Sequence, residues 1–336
     1  MGETRPERHF VVGGYPAAPS WSGDHQGLIR FANQLLSWRG PRGRSIGLEV
    51  PYTPSSPWAE PSVLVSTPPT SRHVLTMIPA TMTELRTREG YGLASRDEEG
   101  RRSAVDHVRR ALEFAHTVNT GTGGKVTAIE LQSAPRDPFV SSEAFRQSLQ
   151  ELALPDLGDV ALWVEHSDAR IPGQDHEKGF LALEAEIGVA SSEGLGVLIN
   201  WGRSAIELRD PERVAEHVET AADAGLLRGL IFSGVASAAT EYGHPWVDAH
   251  LPVKDSLDGE DGEVFESSLL TREYVGRALR AADVASLDCV GIKMGMPPGT
   301  NDQTRLAMLQ ANVELIADLV DDATSQATER GVTTRP

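Results

Sequence analysis

At 336 residues with 40% hydrophobic side chains, the chain is long enough to bury a full core in one large domain. Its formal net charge of -17 repels nucleic-acid phosphates and anionic lipid, so a small neutral or modestly charged ligand is expected in place of nucleic acid or a membrane. No apolar run reaches the ~20 residues of a membrane span, the opening MGETRPERHF lacks the apolar core of a signal peptide, and a single cysteine, Cys289, excludes an internal disulfide, which together predict a cytoplasmic protein.

Short β-rich runs alternate with longer amphipathic stretches, the pattern of βα units that close on a parallel sheet. Strands are expected over residues 11–15, 46–50, 73–78, 126–132, 161–166, 197–201, 230–233 and 288–293. Helices are expected over 24–38, 97–118, 143–152, 178–190, 211–224, 271–282 and 302–320. Residues 51–71 are rich in proline and serine and predict a loop or short helix. The segment GTGGK, residues 121–125, reads as a helix-to-strand turn. A long excursion from Gly234 to about Ser268, with the acidic run DSLDGEDGE, reads as a lid or mobile segment. Gly299, Thr300 and Asn301 open the last helix, as an N-cap or as free amides for a phosphate. The expected fold class is α/β, a single (β/α)8 TIM barrel with its body over residues 8–322 and a frayed polar tail over 323–336.

Alternation along the strands predicts which side chains enter the barrel. Glu49, Glu130, Gln132, Glu165, Asn200, Ser233 and Lys293 fall on the inward face near the C-terminal ends of their strands, where barrel enzymes keep their chemistry. Glu165 suits a metal ligand or a general base next to a carbonyl, and Glu130 beside it completes a carboxylate pair that moves a proton between two carbons. Glu49 could join them. The structural alternative for both is charge balance against Lys293 or an arginine. Lys293, one of only four lysines, can bind a substrate oxygen, neutralise a glutamate or, if deprotonated, form a Schiff base. His166 has the opposite parity and is expected on the rim. In GHPWVDAH, residues 243–250, Asp248 and His250 can meet one divalent ion and Trp246 can stack on a sugar face; histidines of an ordinary surface loop are the alternative.

With this order of elements and these strand ends, the chain resembles the xylose-isomerase-like barrels of the sugar isomerase and epimerase superfamily, most of all a domain-of-unknown-function branch of it. In the metal-dependent epimerases of that superfamily, strands five to eight end in a glutamate, an aspartate, a histidine and a glutamate that bind one divalent metal. The resemblance maps these onto Glu165, Asn200, Ser233 and Lys293, so only the first ligand is kept. The substrate-binding histidine three residues after the aspartate corresponds to Arg203 in NWGRSAIE, whose guanidinium fork suits carboxylate or phosphate.

The resemblance implies a carbohydrate-active isomerase or epimerase that works through an enediolate on a small-molecule carbohydrate. Glu165 and Glu130 would exchange the proton, and Lys293, Asn200 and Arg203 would hold the oxygens. Glu49, Gln132, His166, Ser233, Trp246 and His250 would line the substrate. A divalent metal, where one binds, would take Glu165 with Asp248 or His250; otherwise Lys293 would supply the metal's positive charge. Two other readings stand beside it: a lyase or aldolase acting through Lys293, and a non-catalytic barrel that binds a sugar or a protein. Barrels of this kind often pair, so a homo-oligomer is a further expectation.

Overall fold

Valine, isoleucine and leucine pack well in strands buried on both faces, and they dominate the runs that become the sheet. A computed structural model describes residues 9–17, 25–38, 46–53, 56–152, 160–257, 265–297 and 299–333. Its strands are β1 (His9–Gly13), β2 (Ile46–Pro51), β3 (Arg72–Thr76), β4 (Lys125–Leu131), β5 (Ala161–His166), β6 (Gly196–Asn200), β7 (Leu227–Phe232) and β8 (Cys289–Lys293). They pair in parallel in sequence order and β1 pairs with β8, so the expected (β/α)8 TIM barrel is closed.

The helices are α1 (Gly14–Ala17), α2 (His25–Ser37), α3 (Pro61–Val65), α4 (Ile78–Leu85), α5 (Glu98–Thr120), α6 (Ser142–Leu152), α7 (Leu183–Ser192), α8 (Trp201–Leu208), α9 (Val214–Asp223), α10 (Arg272–Ala281) and α11 (Asp302–Thr333). Local chemistry sets several ends. Asp97 caps α5 by accepting from Gly100 N at 3.2 Å, with Glu98 and Glu99 in the first turn where the helix dipole favours anions. Among the described residues no helix is long and apolar enough to cross a membrane.

The predicted alternation holds. Val11, Val74, Ala128, Trp163, Leu198, Ile231 and Cys289 form an apolar cluster of their own inside the barrel, apart from the larger core between strands and helices. The next inward positions toward the strand C-termini carry the polar residues, on top of this plug. Two glycines relieve crowding around the barrel. A Cβ at Gly13 would lie 2.9 Å from Lys293 Cγ, in the way of the polar ring, and one at Gly47 would lie 1.5 Å from the Arg72 carbonyl oxygen of the neighbouring strand.

Several boundaries differ from expectation. Residues 178–182 are not helical, because Asp168 Oδ2 accepts the backbone N–H groups of Glu177 and Lys178 at 2.8 and 2.9 Å, and Gly179 turns with a φ of +69°. Trp201 begins α8 and does not extend β6, since Asn200 caps that helix. The polar stretch expected as a frayed tail continues α11 to Thr333. Residues 1–8 and 258–264, which include most of the acidic run, lie outside the described residues.

Candidate active site at the barrel mouth

The strand ends bring Glu49, Glu130, Gln132, Glu165, Asn200, Ser233 and Lys293 together, all buried. Lys293 Nζ lies 2.7 Å from Glu49 Oε1 and 3.0 Å from Glu165 Oε1, bridging β2 and β5 from β8. Glu165 is the most heavily held group. Its second oxygen receives Arg203 Nη1 at 2.6 Å and Gln132 Nε2 at 2.8 Å, and Asn200 Nδ2 donates to the first at 3.4 Å. Arg203 enters from the first turn of α8, which starts directly at the end of β6 and so points into the mouth.

Glu130 is the opposite case. It is fully buried, and neither carboxyl oxygen has a hydrogen-bond partner. Burial and the neighbouring Glu49 and Glu165 carboxylates push its carboxyl well above the usual range. Burial also works to raise Glu165, but Arg203 and Lys293 outweigh it and hold that carboxyl down to about 2. Burial raises Glu49 too, against the pull of Lys293. Lys293 is kept an ammonium: burial favours the neutral amine, and Glu165 and Glu49 overcome it. The mouth therefore holds a carboxyl pushed toward its protonated form, a fixed carboxylate and two cations, with the oxygens of its three glutamates within 4.8 Å of one another.

Loops after β5 and β7 roof the mouth. Asp248 Oδ2 pairs with Lys178 Nζ at 2.7 Å and lies 3.4 Å from Arg203 Nε. His250 Nδ1 bonds Ser233 Oγ at 2.8 Å and lies 3.3 Å from Asp248 Oδ1, and the Tyr15 ring stands edge-on to His250 at 6.4 Å. Burial lowers His250 to about 4, so its ring is neutral near pH 7. Tyr15 and Lys178 were missed as site residues in the sequence. The signal for Lys178 was present, since a chain with four lysines buries this one.

Two expected site residues lie elsewhere. His166 does not line the rim: it points away from the barrel interior, fully buried, with Nδ1 2.6 Å from Glu186 Oε2 and Nε2 3.1 Å from Glu207 Oε2. Burial would lower its pKa, but the two glutamates raise it to about 10. Trp246 lies on the outer wall of a separate cleft, under the guanidinium of Arg209 at 5.0 Å.

The mouth does not fit the divalent metal that the resemblance implies. Carboxylate oxygens of Glu49, Glu130 and Glu165 come within 4.8 Å of one another, but the Lys293 ammonium stands against two of them and has no lone pair to offer. A set of Glu165 with Asp248 and His250 is not assembled either: Arg203 stands between Glu165 and Asp248, and among the described residues no group of three ligand atoms brings them together.

The family described as a domain of unknown function (DUF4862) matches residues 11–308. An uncharacterized protein of Salmonella typhimurium, STM3670, is 34% identical over 291 residues, which is 85% of this chain and 89% of the relative. Among solved structures, D-psicose 3-epimerase, determined in the presence of D-fructose, is similar with a TM-score of 0.53 at 12% identity, over 95% of this chain and 99% of its own. A protein of Rhodospirillum rubrum provisionally named a xylose isomerase gives a TM-score of 0.57 at 12% identity, over 93% and 99%. At such identities the likeness is one of fold. The chain thus belongs to the DUF4862 family and carries its buried carboxylate, lysine and arginine mouth on a (β/α)8 barrel.

Proposed function

We propose that the protein isomerises or epimerises a sugar or sugar derivative by proton transfer through an enediolate, without a metal ion. The observation that carries this reading is Glu130, a buried carboxyl with no hydrogen-bond partner beside a glutamate locked by four donors. Carboxyls whose surroundings push their proton affinities apart are the usual means of running acid and base steps in one site. Glu49 suits the role of partner to Glu130 better than Glu165, because a carboxylate held down to about 2 by Arg203 and Lys293 is a weak base. Glu49 takes the proton from the carbon next to the carbonyl and Glu130 returns one to the enediolate. Their oxygens lie within 4.8 Å of one another, so one bridging water or substrate hydroxyl carries the proton back and resets the pair. Lys293 and Arg203 face the oxygen that becomes negative, and Glu165 keeps both cations aimed.

The same electrostatics speak against a Schiff base, which needs a neutral Lys293 amine. Incubation in deuterium oxide with a panel of aldoses, ketoses and their acidic derivatives tests the reading. At least one sugar takes up deuterium at the carbon beside its carbonyl, and Glu130→Gln slows that uptake by on the order of 10²–10⁴-fold. A panel in which sugars bind and none exchanges a carbon-bound proton makes the barrel a binding protein.

A further inference from the structure

Outside the mouth, a cleft of about 1010 Å³ opens between the connections that follow β4, β5, β6 and β7. Its walls carry three arginines, Arg136, Arg170 and Arg209, against two carboxylates, Asp175 and Glu177, with Trp246 beside them, an excess of positive charge in a chain of net charge -17. Some of this charge is spent locally, since Arg170 pairs with Asp137 at 2.8 Å, and His244 Nε2 lies 3.2 Å from Glu177 Oε1. Arg209 has no carboxylate partner within ion-pair distance among the described residues. Its Nη2 donates to the Asp175 carbonyl, while Nη1 is buried with no acceptor, and His176 Nδ1 in the same wall is also buried without a partner. Buried polar groups are nearly always satisfied, so two orphaned nitrogens in one cleft call for a ligand that accepts hydrogen bonds.

The backbone points the same way. Arg209 and Trp246 stack at 5.0 Å, and both are non-glycine residues in the left-handed region, with φ of 52° and 62°; Arg209 adopts it as the C-cap of α8, its N–H on the Ala205 carbonyl, whereas Trp246 lies in a loop. Such conformations are costly for bulky residues and gather at ligand clamps and active sites. Here they hold the guanidinium over an indole, with Nη2 anchored on the Asp175 carbonyl and Nη1 left without an acceptor. A planar fork fixed in that way recognises an oxyanion through paired N–H groups.

The cleft shares a wall with the mouth. Glu177 lines the cleft, and the next residue, Lys178, reaches Asp248, two residues beyond Trp246, in the roof over Glu165 and Lys293. We propose that the cleft is a subsite for the oxyanion-bearing end of an acidic sugar, with Arg209 as its principal ligand, Trp246 as platform and His176 as second donor. The link to the mouth rests on the isomerase reading given above, and names its substrate class as sugars carrying a carboxylate or phosphate ester. The cleft is far larger than a lone ion requires, so a saccharide is held there and not the ion alone.

Calorimetric titration of the full chain with D-glucuronate, D-glucose 6-phosphate and D-glucose tests the assignment without turnover. The acidic sugars bind at least ~10-fold more tightly than D-glucose, a difference of about 1.4 kcal/mol, and the better of the two names the oxyanion. Arg209→Gln removes that preference, and Trp246→Ala, which keeps the arginine but not its platform, weakens it; thermal melts show whether each variant is folded. Glu130→Gln, which stops proton transfer, leaves the preference intact. Equal affinity for D-glucose, or an acid preference that survives both cleft substitutions, overturns the proposal. An Arg209-dependent preference in a chain that exchanges no sugar proton keeps the subsite and refutes only the reaction.

Discussion

Replacing Lys293 by methionine tests the electrostatic design of the mouth most directly. The substitution keeps the volume of the side chain but removes the ammonium that lies 2.7 Å from Glu49 and 3.0 Å from Glu165. Glu165 retains Arg203 and Gln132, so Glu49 is the group left without its counter-ion. Breaking a buried pair from one side costs about 3–5 kcal/mol. With an unfolding entropy of about 2.1 cal/mol/K per residue, a chain of 336 residues loses ~0.7 kcal/mol per degree, so the melting temperature falls by roughly 4–7 °C. The loss depends on pH in a fixed direction. Burial already raises Glu49, and without Lys293 its folded pKa rises further above the unfolded value near 4.5. A group raised on folding helps the folded state below its unfolded pKa and loses that help as pH climbs toward the folded one. The deficit of the variant is therefore small at pH 5 and large at pH 7.5. Thermal melts of both proteins at the two pH values check it. A deficit under about 1.5 °C at pH 7.5, or one equal at both pH values, would refute the role of Lys293 as the buried counter-ion.

Reversing the charge gives a gain of function: Lys293→Glu places a fourth carboxylate beside three whose oxygens already lie within 4.8 Å of one another, and that variant binds one equivalent of Mn²⁺ by electron paramagnetic resonance. Stoichiometric Mn²⁺ in the wild-type protein after dialysis against a chelator counts against the metal-free site. His166, held between Glu186 and Glu207 with its pKa raised to about 10, is an imidazolium at pH 8, so nitrogen-15 spectra show protons on both ring nitrogens there. Because its folded pKa exceeds the unfolded 6.5, the stability it contributes is complete below pH 6.5 and fades as pH approaches 10; a ring that titrates near 6.5 contradicts the assignment.

Period-two alternation made the site's location legible. Once Trp163 and Glu165, or Cys289 and Lys293, share a face, one apolar plug and one polar ring follow for any closed barrel. What alternation does not carry is distance. That Glu130 lacks partners while Glu165 has four depends on rotamers and on Arg203, whose helix begins one residue after a strand ends. The outward parity of His166 was readable, but its partners sit 20 and 41 residues downstream on helices whose rotation the strand pattern does not set. The segment before α7 looked helical by composition. It is not helical because Asp168, nine and ten residues earlier, draws off the backbone donors of Glu177 and Lys178.

The Lys293 bridge also bears on how the chain is made. Its two partners, Glu49 and Glu165, are synthesised long before it, and Glu130 sits with them on the same inward face. A nascent chain that ends before β8 carries Glu49, Glu130 and Glu165 toward one interior with Arg203 to offset Glu165 and no counter-ion for Glu49, so desolvating that carboxylate resists closure of the partial sheet. Arrival of the last strand supplies at once the missing hydrogen-bonding edge for β1 and the missing charge for the centre. The final strand thus acts as a keystone, and a truncation just before residue 289 removes far more than one-eighth of the barrel's stability.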